Sequence, residues 1–467
     1  MKHYRLSRRI GIPMIIILFV LGNLCACSYV QQEVASGQVI TDSSELPSPI
    51  SASTPAPGED TAPEPEEKSS SESLSELISE SLSESISESL SESISESIPE
   101  PFQEYDLSLM ALGDNLMHMG VVRTGQQDDG SYDFSFLFEN ITDYIEKADI
   151  RMINQETIFA GNELGFSGFP YFNSPTEVGD AIADTGFNVV LHATNHAADQ
   201  GIDGLKNCVS FWEEQHPDTL MVGISGDESA KELPIITIGD VTFAILNYTY
   251  GPNAETIQKS LMGHLNMLCD YNTETGAIDF TTLNPQVIRD IREAKLKADI
   301  VIVCPHWGTE YATAVSAYQK KFAAEMADAG ADLIIGTHPH VPQPVEWITS
   351  EDGRRTLCYY SLGNYVSTQK AAICMLEEMA WVTFHVTEDQ IFIDEGSSGV
   401  FPLVCHYRSG PVRLGGVYPL EDYTEELAGK HGIWNYGGVA FHREEMQQKS
   451  NEIFGDMILL KSDILSP

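Results

Sequence analysis

The segment IIGTHPH, residues 334–340, limits the possible folds of this chain more than any other stretch of its sequence. An apolar run ends at Gly336, and two histidines follow with Pro339 between them. Proline disfavours helical geometry in the residue before it, so we expect His338 to be extended. Side chains two residues apart on an extended chain point to the same side, so His338 and His340 should converge at the end of a buried strand. Two converging imidazoles are typical of a metal site, and a polar turn with two solvated histidines is the alternative.

Four other segments share the pattern of an apolar, strand-like run followed by a residue that can bind a metal. The residues that follow these runs are Asp114, Glu156, Asn195 with its neighbour His196, and His306. Three have an ordinary alternative role: Asp114 as a turn residue, Asn195 as a helix cap and His306 as a core histidine. Sheets of α/β proteins place their ligands just beyond strand ends, where all of these residues fall. Two carboxylates, one amide and up to four imidazoles suit Mn, Fe, Zn or Ni rather than Ca or Mg.

Apolar runs and helical patterns alternate between residues 107 and 335. The predicted strands cover residues 107–112, 150–153, 187–191, 235–238, 241–248 and 299–304, and the predicted helices cover residues 134–148, 175–185, 202–215, 284–297 and 317–329. Beyond residue 345 the pattern changes to a run of strands. Alternation followed by a run of strands predicts an α/β fold in which helices cover two stacked sheets.

The first 27 residues have the pattern of an export signal. Four basic residues precede an apolar stretch over residues 10–24, and the sequence LCAC follows at its end. This sequence resembles a bacterial lipobox, which would make Cys27 the lipidated first residue of the mature chain. A plain secretory signal and an uncleaved anchor are the alternatives, and all three interpretations place the rest of the chain outside the cytoplasm.

Residues 28–104 have the composition of a linker. A part rich in Ser, Pro, Thr and Glu precedes a four-residue repeat, mostly SES(L/I), whose apolar position recurs from Leu74 to Ile98. On a helix of 3.6 residues per turn this period drifts by about 40° per repeat, so no stable apolar seam forms. We therefore predict a disordered, extended acidic stalk, with a coiled coil as the alternative.

The charge of the chain excludes some classes of partner. The formal net charge is −43, and from Tyr105 onward 52 acidic and 21 basic residues give −31. So acidic a body is not expected to bind nucleic acid or an anionic membrane non-specifically. An anionic substrate would need a local positive centre, which bound metal cations supply.

Six cysteines lie beyond the signal region, without a C-x-x-C pair. Several of them fall in apolar, strand-like runs, so buried free thiols are the expected state. A disulfide stays open as an alternative in an exported protein, because pairing cannot be deduced from spacing alone.

Six motifs carry a resemblance to a known family. They are ALGDNLMH, NQE, ATNHAADQG, PHWGTEY, IIGTHPHVPQPVE and YSLGNYV. In this order and form they resemble the poly-γ-glutamate capsule-synthesis proteins, or CapA-like family, over residues 107–366. That family looks like a branch of the calcineurin-like metallophosphoesterases, which implies a four-layer α/β/β/α sandwich with a two-metal site.

The resemblance also implies roles for individual residues. It would make metal ligands of Asp114, Glu156, Asn195, His306, His338 and His340. His196 would be the free imidazole that faces the substrate, and Asp199 would orient it. Two positions depart from the wider phosphoesterase pattern: Leu116 replaces a histidine ligand, and Glu156 replaces a bridging aspartate. The number of metal ions, one or two, therefore stays open, and His118 is a possible substitute for the missing histidine.

These observations predict four regions. They are a lipoprotein signal peptide (1–27), a disordered acidic linker (28–104), a CapA-like domain of the metallophosphoesterase type (105–400) and a C-terminal extension (401–467). The predicted function is a lipid-anchored, extracytoplasmic protein of poly-γ-glutamate capsule synthesis or export with a metal-dependent hydrolase or transferase site. Its partners would be an anionic polymer such as poly-γ-glutamate, or a phosphoester or amide substrate, and a capsule-synthesis complex. The alternative is a non-catalytic subunit that holds the polymer through the metal.

Overall fold

The computed structural model describes residues 102–228, 232–436 and 440–466. The predicted signal peptide, its Cys27 and residues 28–101 of the predicted linker lie outside this part of the chain. No helix among the described residues combines the length and apolar character needed to cross a bilayer.

The strands form two large sheets and one small one. In chain order they are β1 (Tyr105–Asp114), β2 (Ile150–Asn154), β3 (Val189–Leu191), β4 (Leu220–Val222), β5 (Ile235–Ile238), β6 (Val241–Thr249), β7 (Cys269–Tyr271), β8 (Ile278–Leu283), β9 (Ile300–His306), β10 (Leu333–Ile335), β11 (Pro342–Thr349), β12 (Arg355–Leu362), β13 (Leu376–Val386), β14 (Ile391–Ile393), β15 (Gly399–Arg408) and β16 (Arg413–Pro419). The first sheet has the order β16-β15-β13-β1-β2-β3-β4, with β14 beside β13. The second has the order β11-β12-β10-β9-β6-β5, and β7 pairs with β8.

Parallel strands form one part of each large sheet. In the first sheet β1 to β4 are parallel, and β13, β15 and β16 join them in antiparallel pairs. In the second sheet β6, β9, β10 and β12 are parallel, with antiparallel β5 and β11 at the edges. Strand β16 and all of β15 except its first two residues fall within the predicted C-terminal extension, and both strands extend the first sheet.

The helices are short or of moderate length. They are α1 (Met119–Gly125), α2 (Thr142–Lys147), α3 (Glu177–Asp184), α4 (Gly201–Gln215), α5 (Pro285–Ala294), α6 (Ala317–Ala329), α7 (Glu425–Ala428), α8 (Arg443–Phe454) and α9 (Lys461–Leu465). Asn284 caps α5 by accepting the backbone N–H of Gln286, and Pro285 takes the first helical position.

The helix predicted over residues 134–148 is wrong as one element. A single 3₁₀ turn covers Ser135–Leu137, and α2 begins at Thr142. Between them Asn140 donates through Nδ2 to the carbonyl of Val417 in β16, at 2.9 Å. This bond ties the segment to the first sheet, and tertiary packing overrides the helical pattern.

The two large sheets pack face to face through an apolar layer. Leu109 and Val189 of the first sheet and Ile302 and Leu333 of the second belong to one buried cluster. A second cluster buries α2, α3 and α4 against the outer face of the first sheet, and a third buries α5 and α6 against the second sheet. The mixed α/β sandwich expected from the sequence is confirmed.

The two sheets approach each other closely where β1 and β12 end. The backbone N–H of Asp114 donates to the carbonyl of Gly363, at 2.9 Å. A Cβ at Gly113 would overlap that carbonyl oxygen, so only glycine allows this approach. The contact brings the carboxyl ends of parallel strands from both sheets to one place.

His431 is buried against β15 with both ring nitrogens engaged. The backbone N–H of Ile433 donates to Nδ1, and Nε2 donates to the carbonyl of Cys405, each at 3.0 Å. Both bonds require the neutral imidazole with its proton on Nε2. Burial accordingly lowers the pKa of His431 to about 4.

We expect acid to destabilise the fold through His431. An unfolded histidine has a pKa of 6.5, so below that pH the unfolded state binds a proton that the folded state does not. The free energy of unfolding therefore falls as the pH drops from about 6.5 towards 4. Between pH 7 and 5 the loss from this group should be about 2 kcal/mol. Urea unfolding at both pH values should show a smaller loss for His431→Gln than for the wild type, and equal losses would contradict the assignment.

Candidate metal centre

The structure brings all six candidate ligands together. They are buried and lie at or just beyond the carboxyl ends of parallel strands: Asp114 at β1, Glu156 after β2, Asn195 after β3, His306 at β9, and His338 and His340 after β10. Three of them come from the first sheet and three from the second. The centre therefore lies where the strand ends of the two sheets meet.

One half of the centre consists of Asp114, Glu156 and His340. Nδ1 of His340 lies 3.0 Å from Oδ2 of Asp114 and 3.7 Å from Oε2 of Glu156. Each residue offers a ligand atom within 4.8 Å of the other two. Asn154 fixes the aspartate by donating through Nδ2 to its Oδ1, at 2.8 Å. These three residues can hold one divalent cation.

The other half consists of Asn195, His306 and His338. Nε2 of His306 lies 2.9 Å from Oδ1 of Asn195, while its Nδ1 lies 2.9 Å from the hydroxyl of Thr337. The rings of His306 and His338 are 4.9 Å apart between centroids. The hydroxyl of Thr337 thus orients the His306 ring so that Nε2 faces the amide oxygen.

Buried polar atoms without partners mark the centre. Both carboxylate oxygens of Glu156 and Nδ1 of His338 have no hydrogen-bond partner among the described residues. A buried polar atom left unpaired costs about 1–3 kcal/mol, and more when it is charged. A divalent cation would satisfy these atoms, and the mixture of carboxylate, amide and imidazole donors fits such an ion.

The extended geometry predicted for His338 is wrong. His338 has a φ of 98° and His340 a φ of 59°, so both lie in the left-handed region. This turn directs the backbone N–H of His338 towards both carboxylate oxygens of Asp114, at 3.3 Å each. The rings still converge, with 5.8 Å between centroids. A tight turn costing on the order of 1–3 kcal/mol per residue brings them together, rather than alternation along a strand.

The protonation of the histidines reflects the surrounding carboxylates. Burial alone would lower the pKa of His340, but Glu156 and Asp114 outweigh it and raise the pKa to about 9. Burial holds the pKa of His306 and of His338 well below the usual range. Burial thus favours the neutral form of His306 and His338 that metal binding requires, and the carboxylate charge that raises the pKa of His340 would also favour a bound cation.

His196 lies beside the centre rather than within it. Its Nδ1 is 2.7 Å from Oδ2 of Asp199, and the same oxygen accepts the backbone N–H of Phe172, at 2.7 Å. Nε2 of His196 is 3.9 Å from Oε1 of Glu156. The ring of Phe172 packs edge-on against the imidazole, with 4.7 Å between centroids. Asp199 and Phe172 hold His196 with one nitrogen left for another group.

A cavity of about 840 Å³ opens on the centre. Its walls include His196, His340, Tyr311, Glu310 and His118. Glu310 is exposed and can offer a carboxylate oxygen within 4.8 Å of ligand atoms of His338 and His340. His118, which the sequence offered as a substitute ligand, accepts the backbone N–H of Thr368 through Nδ1, at 3.4 Å, and burial lowers its pKa to about 4.

Two asparagines support the ligands. Asn364, in the turn after β12, has Oδ1 3.0 Å from Nδ1 of His340 and donates through Nδ2 to the carbonyl of the same residue, at 3.1 Å. Asn253 accepts from Nδ2 of Asn195 at 2.9 Å and from the hydroxyl of Tyr250 at 3.0 Å. Asn364 lies within the YSLGNYV motif, but the sequence gave no signal for Asn253, which follows β6 without a recognisable motif.

We expect Asn253→Ala to weaken metal binding in the half of the centre that contains Asn195. Asn253 accepts from the amide nitrogen and so keeps the amide oxygen turned towards His306. Loss of such a supporting bond costs about 10–100-fold in metal affinity. Calorimetric titration of the metal-depleted protein with Mn²⁺ or Zn²⁺ would measure the change. Asn451→Ala, at an exposed position on α8, is the control and should bind like the wild type; equal affinities for all three proteins would contradict the role of Asn253.

Comparison with known proteins identifies relatives. The family model described as "Bacterial capsule synthesis protein PGA_cap" matches residues 108–369, which include all six candidate ligands. "PGA biosynthesis protein CapA" of Bacillus subtilis (strain 168) is 34% identical over 190 residues, which are 40% of this chain and 44% of that protein. "Capsule biosynthesis protein CapA" of Bacillus anthracis is 26% identical over 288 residues, 61% of this chain and 64% of that protein. The chain thus matches less than two thirds of either curated relative.

Two solved structures are also similar. A hypothetical protein from Thermus thermophilus is 14% identical with a TM-score of 0.35, covering 62% of this chain and 99% of that one. The 5'-nucleotidase from Candida albicans is 10% identical with a TM-score of 0.30, covering 61% of this chain and 49% of that one.

Proposed function

The chain belongs to the bacterial capsule synthesis protein PGA_cap family, and we propose that it is a lipid-anchored, extracytoplasmic protein of poly-γ-glutamate capsule synthesis or export with a metal-dependent hydrolase or transferase site. The names of the two curated relatives support the capsule role. Helices on the outer face of each sheet support a four-layer sandwich of the metallophosphoesterase type. In this proposal residues 105–400 form the catalytic domain and residues 401–467 its C-terminal extension.

The observation that carries the proposal is the convergence of six buried donors around unpaired atoms. We assign one ion to Asp114, Glu156 and His340, and a second, where present, to Asn195, His306 and His338. Both oxygens of Glu156 lack hydrogen-bond partners among the described residues, so this residue can serve either ion. The ions would be of the Mn, Fe, Zn or Ni class.

The chemistry divides between the metal and the protein. A bound divalent cation supplies positive charge that polarises a phosphoryl or carbonyl oxygen and favours the ionisation of water near neutral pH. Oδ2 of Asp199 accepts a hydrogen bond from Nδ1 of His196, which orients the ring and leaves Nε2 to carry a proton on the side of the substrate. From Nε2 that proton can pass to the oxygen or nitrogen of the leaving group. Phe172 packs on the imidazole and excludes water from one side of it.

The second candidate is a non-catalytic subunit that holds the polymer through the metal. The relatives' names favour it as much as they favour an enzyme, because they state a process and no reaction. Incubation of the metal-loaded full chain with poly-γ-glutamate, phosphoesters and amides separates the two. Product that forms with the wild type and not with His196→Ala supports the enzyme. Retention of the polymer without turnover of any substrate favours the second candidate.

The lipid anchor has a direct test. Cysteine is the residue that a lipobox provides for acylation, so Cys27→Ser should abolish lipid labelling and leave the protein unprocessed or released into the medium. Metabolic labelling with a fatty-acid analogue, followed by fractionation of cells and medium, measures both effects. Cys25→Ser is the matched control and should be labelled like the wild type. Unchanged labelling of Cys27→Ser would exclude the anchor at this residue.

A further inference from the structure

Two cationic side chains line the cavity that opens on the metal centre. Arg123 comes from the last turn of α1, and Lys370 lies on the segment that follows β12. The same cavity contains His196 and His340 in its walls. Both cations are exposed, and neither forms an ion pair with another residue in the described part of the chain.

Arg123 and Lys370 belong to a body that is strongly acidic as a whole. From Tyr105 onward acidic residues outnumber basic ones by 52 to 21. Several lysines elsewhere on the surface have acidic partners, such as Lys295 with Asp332 at 2.7 Å. Among the described residues that line the cavity, Glu310 is the acidic one. The positive charge of Arg123 and Lys370 is therefore available to a ligand.

The rim that carries these cations is held by close packing. A Cβ at Gly120 of α1 would lie 3.0 Å from Cγ2 of Thr368, two residues before Lys370, so the two segments touch directly. The Arg413 guanidinium donates to the carbonyl of Arg123. Nζ of Lys370 lies 4.8 Å from the centroid of the Tyr436 ring, which orients the ammonium group. The backbone segments that carry Arg123 and Lys370 are therefore held in place beside the cavity.

We propose that Arg123 and Lys370 form an anion subsite, which binds a carboxylate of the substrate chain while a neighbouring bond lies at the metal centre. This inference rests on the proposed function, because a poly-γ-glutamate chain carries one carboxylate on every residue. The guanidinium pairs with both oxygens of a carboxylate, and the ammonium group adds a second charge. The subsite selects an acidic chain over a neutral one, and it sets which bond of the chain reaches the metal.

The test measures equilibrium binding of fluorescent poly-γ-glutamate to the purified full chain by anisotropy. Arg123→Glu/Lys370→Glu should bind about tenfold more weakly or worse, and its affinity should depend less on salt. The matched control is Arg292→Glu/Lys449→Glu, which makes the same charge change at exposed positions on α5 and α8. The control should stay within about twofold of the wild type. Equal weakening of both double variants would overturn the subsite, since net charge alone would then explain binding.

Competition experiments identify the anion. Unlabelled poly-γ-glutamate should displace the probe, and the methyl-esterified polymer should not. Inorganic polyphosphate should compete more weakly than the polycarboxylate. If polyphosphate competes better and its binding depends on Arg123 and Lys370, the assignment to a carboxylate is overturned.

The polymer-binding test of the subsite does not depend on turnover of a substrate. His338→Ala, which removes a candidate metal ligand, should keep the contribution of Arg123 and Lys370 to polymer binding. If polymer binding depends on Arg123 and Lys370 but the protein turns over no substrate, only the proposed reaction is refuted. If the protein turns over a substrate but Arg123→Glu/Lys370→Glu binds the polymer as tightly as the wild type, the subsite alone is refuted.

Discussion

Replacing His338 with alanine should remove bound metal and, with it, all turnover. Nδ1 of His338 is buried without a hydrogen-bond partner among the described residues, and the ring centroid lies 4.9 Å from that of His306 and 5.8 Å from that of His340. Loss of one ligand from so compact a centre lowers metal affinity. The folded state also loses its linkage stabilisation, RT ln(1 + [L]/Kd), which is about 4 kcal/mol when metal stands at a thousandfold excess over Kd.

Three measurements on His338→Ala check this prediction. Inductively coupled plasma mass spectrometry gives the metal content, thermal unfolding with and without added metal gives the stabilisation, and a substrate assay gives turnover. His442→Ala, at an exposed histidine on the surface, is the control and should match the wild type in all three. A full metal complement in His338→Ala would mean that the segment 334–340 is not the centre of this protein.

The second prediction with a large effect is that replacing His196 lowers the rate of turnover but leaves the bound metal in place. His196→Ala should lower turnover by roughly 10²–10⁴-fold, as expected when a general acid is removed. Metal content and melting temperature should stay near the wild-type values, because Asn195 and not His196 lies against His306. The side chain of His196 is bonded instead to Asp199.

Asp199→Asn refines the role of this pair. The amide can still contact Nδ1 of His196, but it lacks the negative charge that faces the ring in the wild type. Its turnover should fall between those of the wild type and His196→Ala, and its metal content should be unchanged. If His196→Ala loses metal as completely as His338→Ala does, His196 is a ligand and the assigned role is wrong.

The position of the candidate centre could be predicted because strand ends follow from local pattern. Asp114 and His306 each close an apolar run, and each run became a parallel strand whose carboxyl end lies at the centre. The six cysteines beyond the signal region are buried free thiols, as their apolar neighbours indicated. These features depend on residues close together in the sequence, where periodicity is informative.

Other features depend on contacts between distant segments. The left-handed turn at His338 is set by the carboxylate of Asp114, 224 residues earlier in the chain. The link between Asn253 and Asn195 spans 58 residues and follows no spacing rule. The cation rim exists because α1 packs on the segment after β12. A single sequence does not carry these pairings, because each is decided by the packing of the whole sandwich.

The most direct test of the account is the metal content of the purified full chain. After exposure to Mn²⁺, Fe²⁺, Zn²⁺ or Ni²⁺ and removal of free ions, the wild type should retain one or two ions per chain by mass spectrometry. Glu156→Gln, which removes the charge of the carboxylate whose two oxygens lack hydrogen-bond partners among the described residues, should retain fewer ions. A wild-type protein that retains none of these ions, or a Glu156→Gln variant with the full complement, would contradict a metal centre at these residues.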